Sequence, residues 1–269
     1  MPLAHLADRA LLRLSGADAR PFLQGLLTQD MGQLAPGRPA WAGLLSPQGK
    51  ALFAFLLHDA GDAILIDCVA DSAEALARRL LMFRLRKDVA IAPCDLAVWA
   101  AWSDAAAGLP PDPRAAGLGA RWVAPAGAHA PDAGIEAYHA HRLALGIPDQ
   151  ESIGSDSLLW LEANARELNG VSFTKGCYTG QENTARMHHR DKVRKRLLPL
   201  RLSGGAPADA PVLAGDREAG TLRGMRVAGL QLALLRMEHA GGPLTVAGEP
   251  AELLWPGWLP LQEDDGDSD

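Results

Sequence analysis

The sequence predicts an α+β chain that ends in a small β-barrel, and three observations carry this. Apolar residues recur with helical spacing in several segments before about residue 195. Apolar runs of strand length, joined by turn-like residues, lie between those segments. Beyond Arg196 the texture changes to short strands with Gly or Pro at most junctions. With 269 residues, 48% of them hydrophobic, the chain can bury a substantial core, and its length allows one large domain or two to three small ones.

Ser15 followed by Asp18 resembles a capping box, and Phe22, Leu23, Leu26 and Leu27 then share a helical face, which predicts a helix over about Ala17 to Leu27. Ala51 to Leu57 and Ala63 to Val69, separated by HDAGD, read as an antiparallel hairpin. Asp71 or Ser72 caps a second helix in which Leu76, Leu80 and Phe83 face inward, while Arg78, Arg79, Arg84, Arg86 and Lys87 stay solvated. Leu96 to Trp102 and Ala120 to Val123 read as strands, and the Ala-, Pro- and Gly-rich stretches between and after them as loops. Ile135, Tyr138, Arg142 and Leu145 mark a third helix that Gly146 and Pro148 stop. In the barrel segment, over 196–261, Gly215-Asp216 is a tight turn and Gly220 a bulge or a close approach of two strands. There is no internal repeat.

The formal net charge is −6, but Glu263, Asp264, Asp265, Asp267 and Asp269 supply all but about one of those charges. That acidic tail, 262–269, reads as disordered and solubilising. Spread evenly, that charge would argue against a general nucleic-acid binder; it is not evenly spread, and no nucleic-acid partner is expected. No apolar run approaches the roughly 20 residues that cross a bilayer, which argues against a membrane partner. The N-terminus lacks the apolar core of a secretory leader, and the expected location is the cytosol.

Three widely spaced cysteines, Cys68, Cys94 and Cys177, exclude a zinc ribbon or a C-x-x-C motif and argue against a disulfide framework. Cys68 lies in the apolar run AILIDCVA and reads as packing; Cys94, after Pro93 near a strand start, reads likewise.

Cys177 stands instead in NGVSFTKGCYTGQENTARMHHRDKVRKRL, from Asn169 to Leu197, among polar and basic residues. Gly176 and Gly180 flank it, implying unusual dihedrals or a close backbone approach to a ligand. Lys175 is two residues before it, so in an extended segment both side chains point the same way and the ammonium favours the thiolate. After the loop, Arg186, Arg190, Lys192, Arg194, Lys195 and Arg196 face a single acid, Asp191. This basic stretch either receives an anionic ligand tail or an acidic partner, or forms a solvated strand edge. His188 and His189 are adjacent, diverge on a helix or a strand, and cannot chelate together.

The run Lys175, Gly176, Cys177, Tyr178, Thr179, Gly180, Gln181, Glu182 matches the K-G-C-Y/F-x-G-Q-E signature of the YgfZ family, and the chain resembles that family. The flanks NGVSFTKG and TARMHHRDKVRKRL are most similar to its mitochondrial iron-sulfur assembly factor branch. The likeness extends through SGADARPFLQGLLTQD, LLSPQGKALFAFLL, YHAHRLALGIPD and LEANARELNG, leaving out only the loop from about Ser103 to Asp132.

The resemblance implies a fold like that of the glycine-cleavage T-protein, with two interlocked α/β subdomains around a central folate channel. Those would be roughly 1–45 with 133–195, and 46–132, together a folate-binding region over 1–195. It implies a part in maturing 4Fe-4S proteins, radical-SAM enzymes included, with tetrahydrofolate bound. The implied chemistry sits at Cys177 and Lys175, and the implied folate contacts at Glu162, Asn164, Tyr178, Gln181, Glu182 and Arg186. Where the T-protein carries two aspartates, one essential for aminomethyl transfer, this chain has Phe53 and Ala54, which replace no carboxylate. T-protein activity is therefore not expected.

One expected role is an assembly factor whose Cys177 transiently ligates a cluster or meets a sulfur species. Clusters take roughly four protein ligands, so a single cysteine calls for a partner, an A-type iron-sulfur carrier, with 4Fe-4S client enzymes downstream. The alternative is a folate-dependent one-carbon transferase or demethylase, against which Phe53 and Ala54 stand. A Cys-His hydrolase is disfavoured because no oriented base accompanies the cysteine.

Overall fold

The structure is a computed structural model that describes residues 2–103, 106, 108–190 and 193–260. The acidic tail expected over 262–269 lies outside the described residues.

Strands β1 (Leu3–His5) and β2 (Arg9–Ser15) precede helix α1 (Ala19–Gln24), followed by β3 (Ala40–Leu45), β4 (Ala51–Asp59) and β5 (Ala63–Val69). Helix α2 (Ala73–Arg84) leads to β6 (Ala90–Cys94), β7 (Ala97–Ala101) and β8 (Ala120–Ala124). The β4–β5 hairpin forms as expected, with His58 opposite Leu65. It is the middle of a five-stranded antiparallel sheet of order β3-β4-β5-β2-β6, in which β2 is inserted between β5 and β6. β1, β7 and β8 make a second, three-stranded sheet.

Period-two alternation divides the large sheet's two faces. Leu12, Leu14, Ile64 and Ile66 pack under Phe22 and Leu23 of α1 and Leu76 and Leu80 of α2. Leu11, Leu65 and Leu56 face a different core that also holds Trp41, Tyr138 and Trp160. Every residue of β5 before Val69 is buried because both faces are covered.

Three local expectations give way to tertiary contacts. Helix α1 is shorter than Ala17 to Leu27, and its first turn has no side-chain cap. The Asp18 carboxylate accepts the Asp88 amide at 2.8 Å, while Gly16 (φ +111°) lets that backbone approach. Likewise Ser72 does not cap α2 but donates its hydroxyl to the Val69 carbonyl at 2.8 Å. Cys94 ends β6 rather than starting a strand; β6 is a sheet edge, where Pro93, with no N–H to give, is tolerated. Cys68 is buried as expected, and burial pushes its thiol up to about 12.

Between the two sheets lies a buried ionic network that composition did not foretell. Asp67 accepts Arg9 Nε and Arg121 Nε, each at 2.7 Å, and Arg9 continues to Asp149 at 3.0 Å. Arg121 also donates to the Tyr138 hydroxyl at 2.9 Å. With two guanidiniums beside it, Asp67 stays ionised well below the usual carboxylate range despite full burial.

Helices α3 (Ile135–Ala144) and α4 (Gln150–Ile153) follow, then α5 (Gln181–His189). The remaining strands are β9 (Lys195–Leu202), β10 (Pro211–Ala214), β11 (Arg217–Val227), β12 (Leu230–Arg236), β13 (Leu244–Val246) and β14 (Glu249–Leu253). They close a barrel in the order β10-β11-β12-β9-β14-β13, which leaves no free edge. Gly220 is the expected close approach: a Cβ there would sit 2.2 Å from the Leu234 carbonyl oxygen. The barrel is fastened to the rest of the chain by Trp258 Nε1, which donates to Leu145 O at 2.7 Å. Arg223 adds bonds to the carbonyls of Ser152 at 3.2 Å and Ile153 at 3.1 Å.

Candidate functional site

The motif loop is held at both ends and open in the middle. At its start the Lys175 ammonium is buried and donates to the carbonyl oxygens of Gln24 and Leu27, both at 2.6 Å, and of Gln29 at 3.0 Å. These carbonyls belong to the end of α1 and the turn after it, where acceptors lack a helical partner and a cation is favoured. Burial pushes the ammonium down to about 8, partly countered by Asp30. Lys175 therefore does not share Cys177's side of the chain as extended spacing implied: Lys175 is buried and Cys177 is exposed. The requirement of a buried ammonium for acceptors overrides strand alternation here.

At the other end Gly180 has φ +83°, and a Cβ there would lie 2.5 Å from the Ser46 carbonyl oxygen. The loop thus seats on the turn between β3 and β4, where Asn183 Nδ2 also donates to Gln48 O at 2.9 Å. Gly176 needs no such freedom, since nothing lies within 4 Å of a Cβ built on it. Of the two glycines only Gly180 has the expected unusual dihedral, and what it approaches is the chain's own turn rather than a ligand.

Tyr178 is buried against Lys175, whose Nζ is 5.0 Å from the ring centroid, and burial pushes its phenol up to about 12. Gln181 opens α5 half-buried; Glu182 and Arg186 pair across one exposed turn at 2.8 Å. Phe173 stacks on His188 at 3.7 Å between ring centroids, a tie between the loop and α5 that the sequence reading missed. An aromatic upstream of the cysteine and a histidine on the following helix were its only trace. The His189 ring centroid lies 5.6 Å from that of His188, with the rings tilted by 54°. Among the described residues no three His, Cys, Asp or Glu side chains converge as a metal site.

Glu162 and Asn164 lie in the turn before the motif and are already engaged. Glu162 Oε2 accepts the Leu159 amide at 3.0 Å, and burial raises its carboxyl. Asn164, left-handed at φ +60°, donates to Leu197 O at 2.7 Å and accepts from Arg196 Nη1 at 3.1 Å. Of the six residues that the resemblance sets around a folate, Asn164 and Tyr178 are buried in packing, while Glu182 and Arg186 spend their charges on each other. Ala54, at a position of the T-protein aspartates, is buried, and its amide donates to Gln150 Oε1 at 2.6 Å.

The basic stretch divides. Arg196 is buried and pairs with Glu167 at 2.9 Å, so it is no solvated edge. Arg186, Arg190 and Arg194 instead line an outer cavity of about 340 Å³ with Asn183 and Met187. Asp191 and Lys192 lie outside the described residues.

Against this geometry, residues 194–261 match the family described as the CAF17 C-terminal β-barrel domain. The human mitochondrial iron-sulfur cluster assembly factor IBA57 is 34% identical, over 95% of this chain and 85% of that protein. The chain belongs to the IBA57 family. The mouse IBA57 is 33% identical over the same shares, and the Neurospora crassa IBA57 homolog is 33% identical over 78% of this chain and 56% of its own. The expected fold is borne out as well. The glycine cleavage system aminomethyltransferase T from Bartonella henselae superposes with a TM-score of 0.69 over 93% of this chain and 83% of that one, at 16% identity. One expectation is corrected: these IBA57 relatives are named as mitochondrial proteins, which overturns the cytosolic placement. The lack of an apolar N-terminal core argued only against a secretory leader and carried no information on any other compartment.

Proposed function

We propose that the chain acts in iron-sulfur cluster biogenesis, lending Cys177 as one ligand to a cluster shared with a carrier protein on its way to 4Fe-4S clients. The observation that carries this is the exposure of Cys177, while Cys68 is buried and Cys94 half-buried, on a loop pinned at Lys175 and Gly180. Membership of the IBA57 family supports the same reading, since its relatives are named assembly factors. A cluster requires roughly four protein ligands, and one open thiolate leaves the rest to a partner, for which an A-type carrier is the suitable class.

The pinned loop holds the sulfur outward, so the thiolate approaches the incoming iron without a large conformational change. The cluster is cargo here. No step of the proposal runs through tetrahydrofolate. The test is anaerobic reconstitution with the carrier, followed by transfer to a 4Fe-4S client. Cys177→Ser should abolish the shared visible absorbance and slow transfer; unchanged transfer would refute the role of the cysteine.

The T-protein-like fold alone favours a second reading, one-carbon transfer from folate. Tetrahydrofolate-dependent formaldehyde or aminomethyl turnover by the purified chain would reverse the ranking, and the apolar Phe53 and Ala54 oppose it.

A further inference from the structure

The formal net charge of −6 sits almost wholly in the acidic residues of 262–269, so the rest of the chain is near neutral. Attraction of an acidic partner toward Cys177 therefore depends on where positive charge is concentrated. That place is the outer side of α5, whose first residue, Gln181, lies only four positions after Cys177. There Arg186, Arg190 and Arg194, all exposed, line the cavity of about 340 Å³ together with Asn183 and Met187. Arg186 is paired with Glu182, whereas no carboxylate among the described residues pairs with Arg190 or Arg194.

We propose that this arginine-lined groove is the docking surface for an acidic face of the protein that brings the remaining cluster ligands. The inference rests on the reading that Cys177 is lent to a shared cluster, and it adds where and by what chemistry the partner binds. Four features point to a protein carboxylate row rather than a small free anion.

First, the groove's cations are exposed side chains, and among the described residues that line it none is a buried polar group, so a small anion would stay hydrated between them. A protein face laid across the groove excludes that water and meets several guanidiniums at once, each able to take a carboxylate in bidentate fashion. Second, Met187 provides an adaptable apolar contact between the arginines. Third, the Phe173–His188 stack couples α5 to the motif loop, so a partner aligned on the helix is also aligned on Cys177. Finally, the ligands that such a partner brings are thiolates, themselves anionic, and a thiolate-rich cluster is favoured beside the same positive field.

The experiment measures anaerobic binding of the apo carrier to the full chain, at low salt and at several times that ionic strength. The wild type should bind more weakly as salt rises, chiefly through a slower association rate. Arg190→Glu/Arg194→Glu should weaken binding about tenfold or more, as expected for charge reversal at a steering surface. Arg190→Lys/Arg194→Lys, which keeps the charge, should retain most of the affinity, and Cys177→Ser should bind the apo carrier as the wild type does. Wild-type affinity in the charge-reversed protein, absence of salt dependence, or equal displacement of the carrier by inorganic phosphate would each overturn the docking surface. If Cys177→Ser blocks transfer while charge reversal leaves binding intact, this inference fails and the function stands. If charge reversal blocks binding while Cys177→Ser transfers normally, the proposed function fails and the docking surface stands.

Discussion

The Lys175 ammonium lies 2.6 Å from the carbonyl oxygen of Leu27, a residue 148 positions earlier in the chain. The lysine of the motif is thus a pin that ties the cysteine loop to the end of α1, with Gln24 and Gln29 supplying the other two acceptors. Cys177, two residues on, faces solvent all the same, so the loop does not keep strand alternation between the two.

Replacing Lys175 by methionine keeps the apolar stem and removes the donors, leaving three carbonyls short of a partner. Each buried hydrogen bond to a charged group contributes about 1.5–3 kcal/mol, and water reaching the opened loop recovers part of that, so a net loss of about 2–3 kcal/mol is expected in urea unfolding. The pH dependence has a definite sign. Burial lowers the folded-state pKa to about 8 from an ordinary 10.5. Between those values the unfolded chain binds more protons than the folded one, so this group's contribution to stability rises with pH across that window. The difference in stability slope between wild type and Lys175→Met over the same range checks it.

The buried Asp67 makes the opposite case. Its folded pKa is depressed by Arg121 and Arg9, so its contribution is fully present above the ordinary carboxylate pKa and is lost as pH falls below it. Asp67→Asn leaves the Arg121 guanidinium without its carboxylate and Arg9 with Asp149 alone, and breaking a buried pair costs about 3–5 kcal/mol. Thermal melts from neutral pH downward should show the variant far less stable at pH 7 and with a flatter acid limb than the wild type.

Much of the fold could be read from the sequence because its signals are local. The β4–β5 hairpin, α2, α3 and the turn-rich barrel each declare themselves within a short window, and Leu76 and Leu80 are buried where helical spacing puts them. What eluded the reading depends on distant contacts. Insertion of β2 between β5 and β6, the pairing of Asp67 with Arg121, and the failure of Ser15 and Asp18 to cap α1 are decided by partners far along the chain. The site divides the same way. Exposure of Cys177 and the special geometry at Gly180 follow from residue types, whereas the direction of Lys175 and the burial of Arg196 follow from α1 and Glu167.

Asn164 joins the turn before the motif to the barrel through Leu197 and Arg196. Asn164→Ala removes both bonds and puts alanine at φ +60°, where asparagine is better tolerated. A loss of about 3 kcal/mol is expected from the two effects together. Asn164→Gly relieves the backbone and should recover about 1 kcal/mol of it, a comparison that chemical denaturation of the two variants makes directly.

The two glycines beside Cys177 provide an internal control. At Gly180 the backbone is left-handed, and an added Cβ meets the Ser46 carbonyl at 2.5 Å and the Leu45 Cβ at 2.9 Å. Neither contact is the free end of a side chain, so the loop must lift off the β3–β4 turn. Strain of this kind costs about 1–3 kcal/mol, and the lifted loop no longer fixes the position of Cys177. At Gly176 the added Cβ meets nothing within 4 Å and φ is not in the left-handed range. Gly176→Ala should therefore melt within about 0.5 kcal/mol of the wild type, the usual range for a surface change, and transfer clusters normally. Gly180→Ala should lose stability and transfer together. Equal behaviour of the two variants would mean that the seat on Ser46 does not position the cysteine.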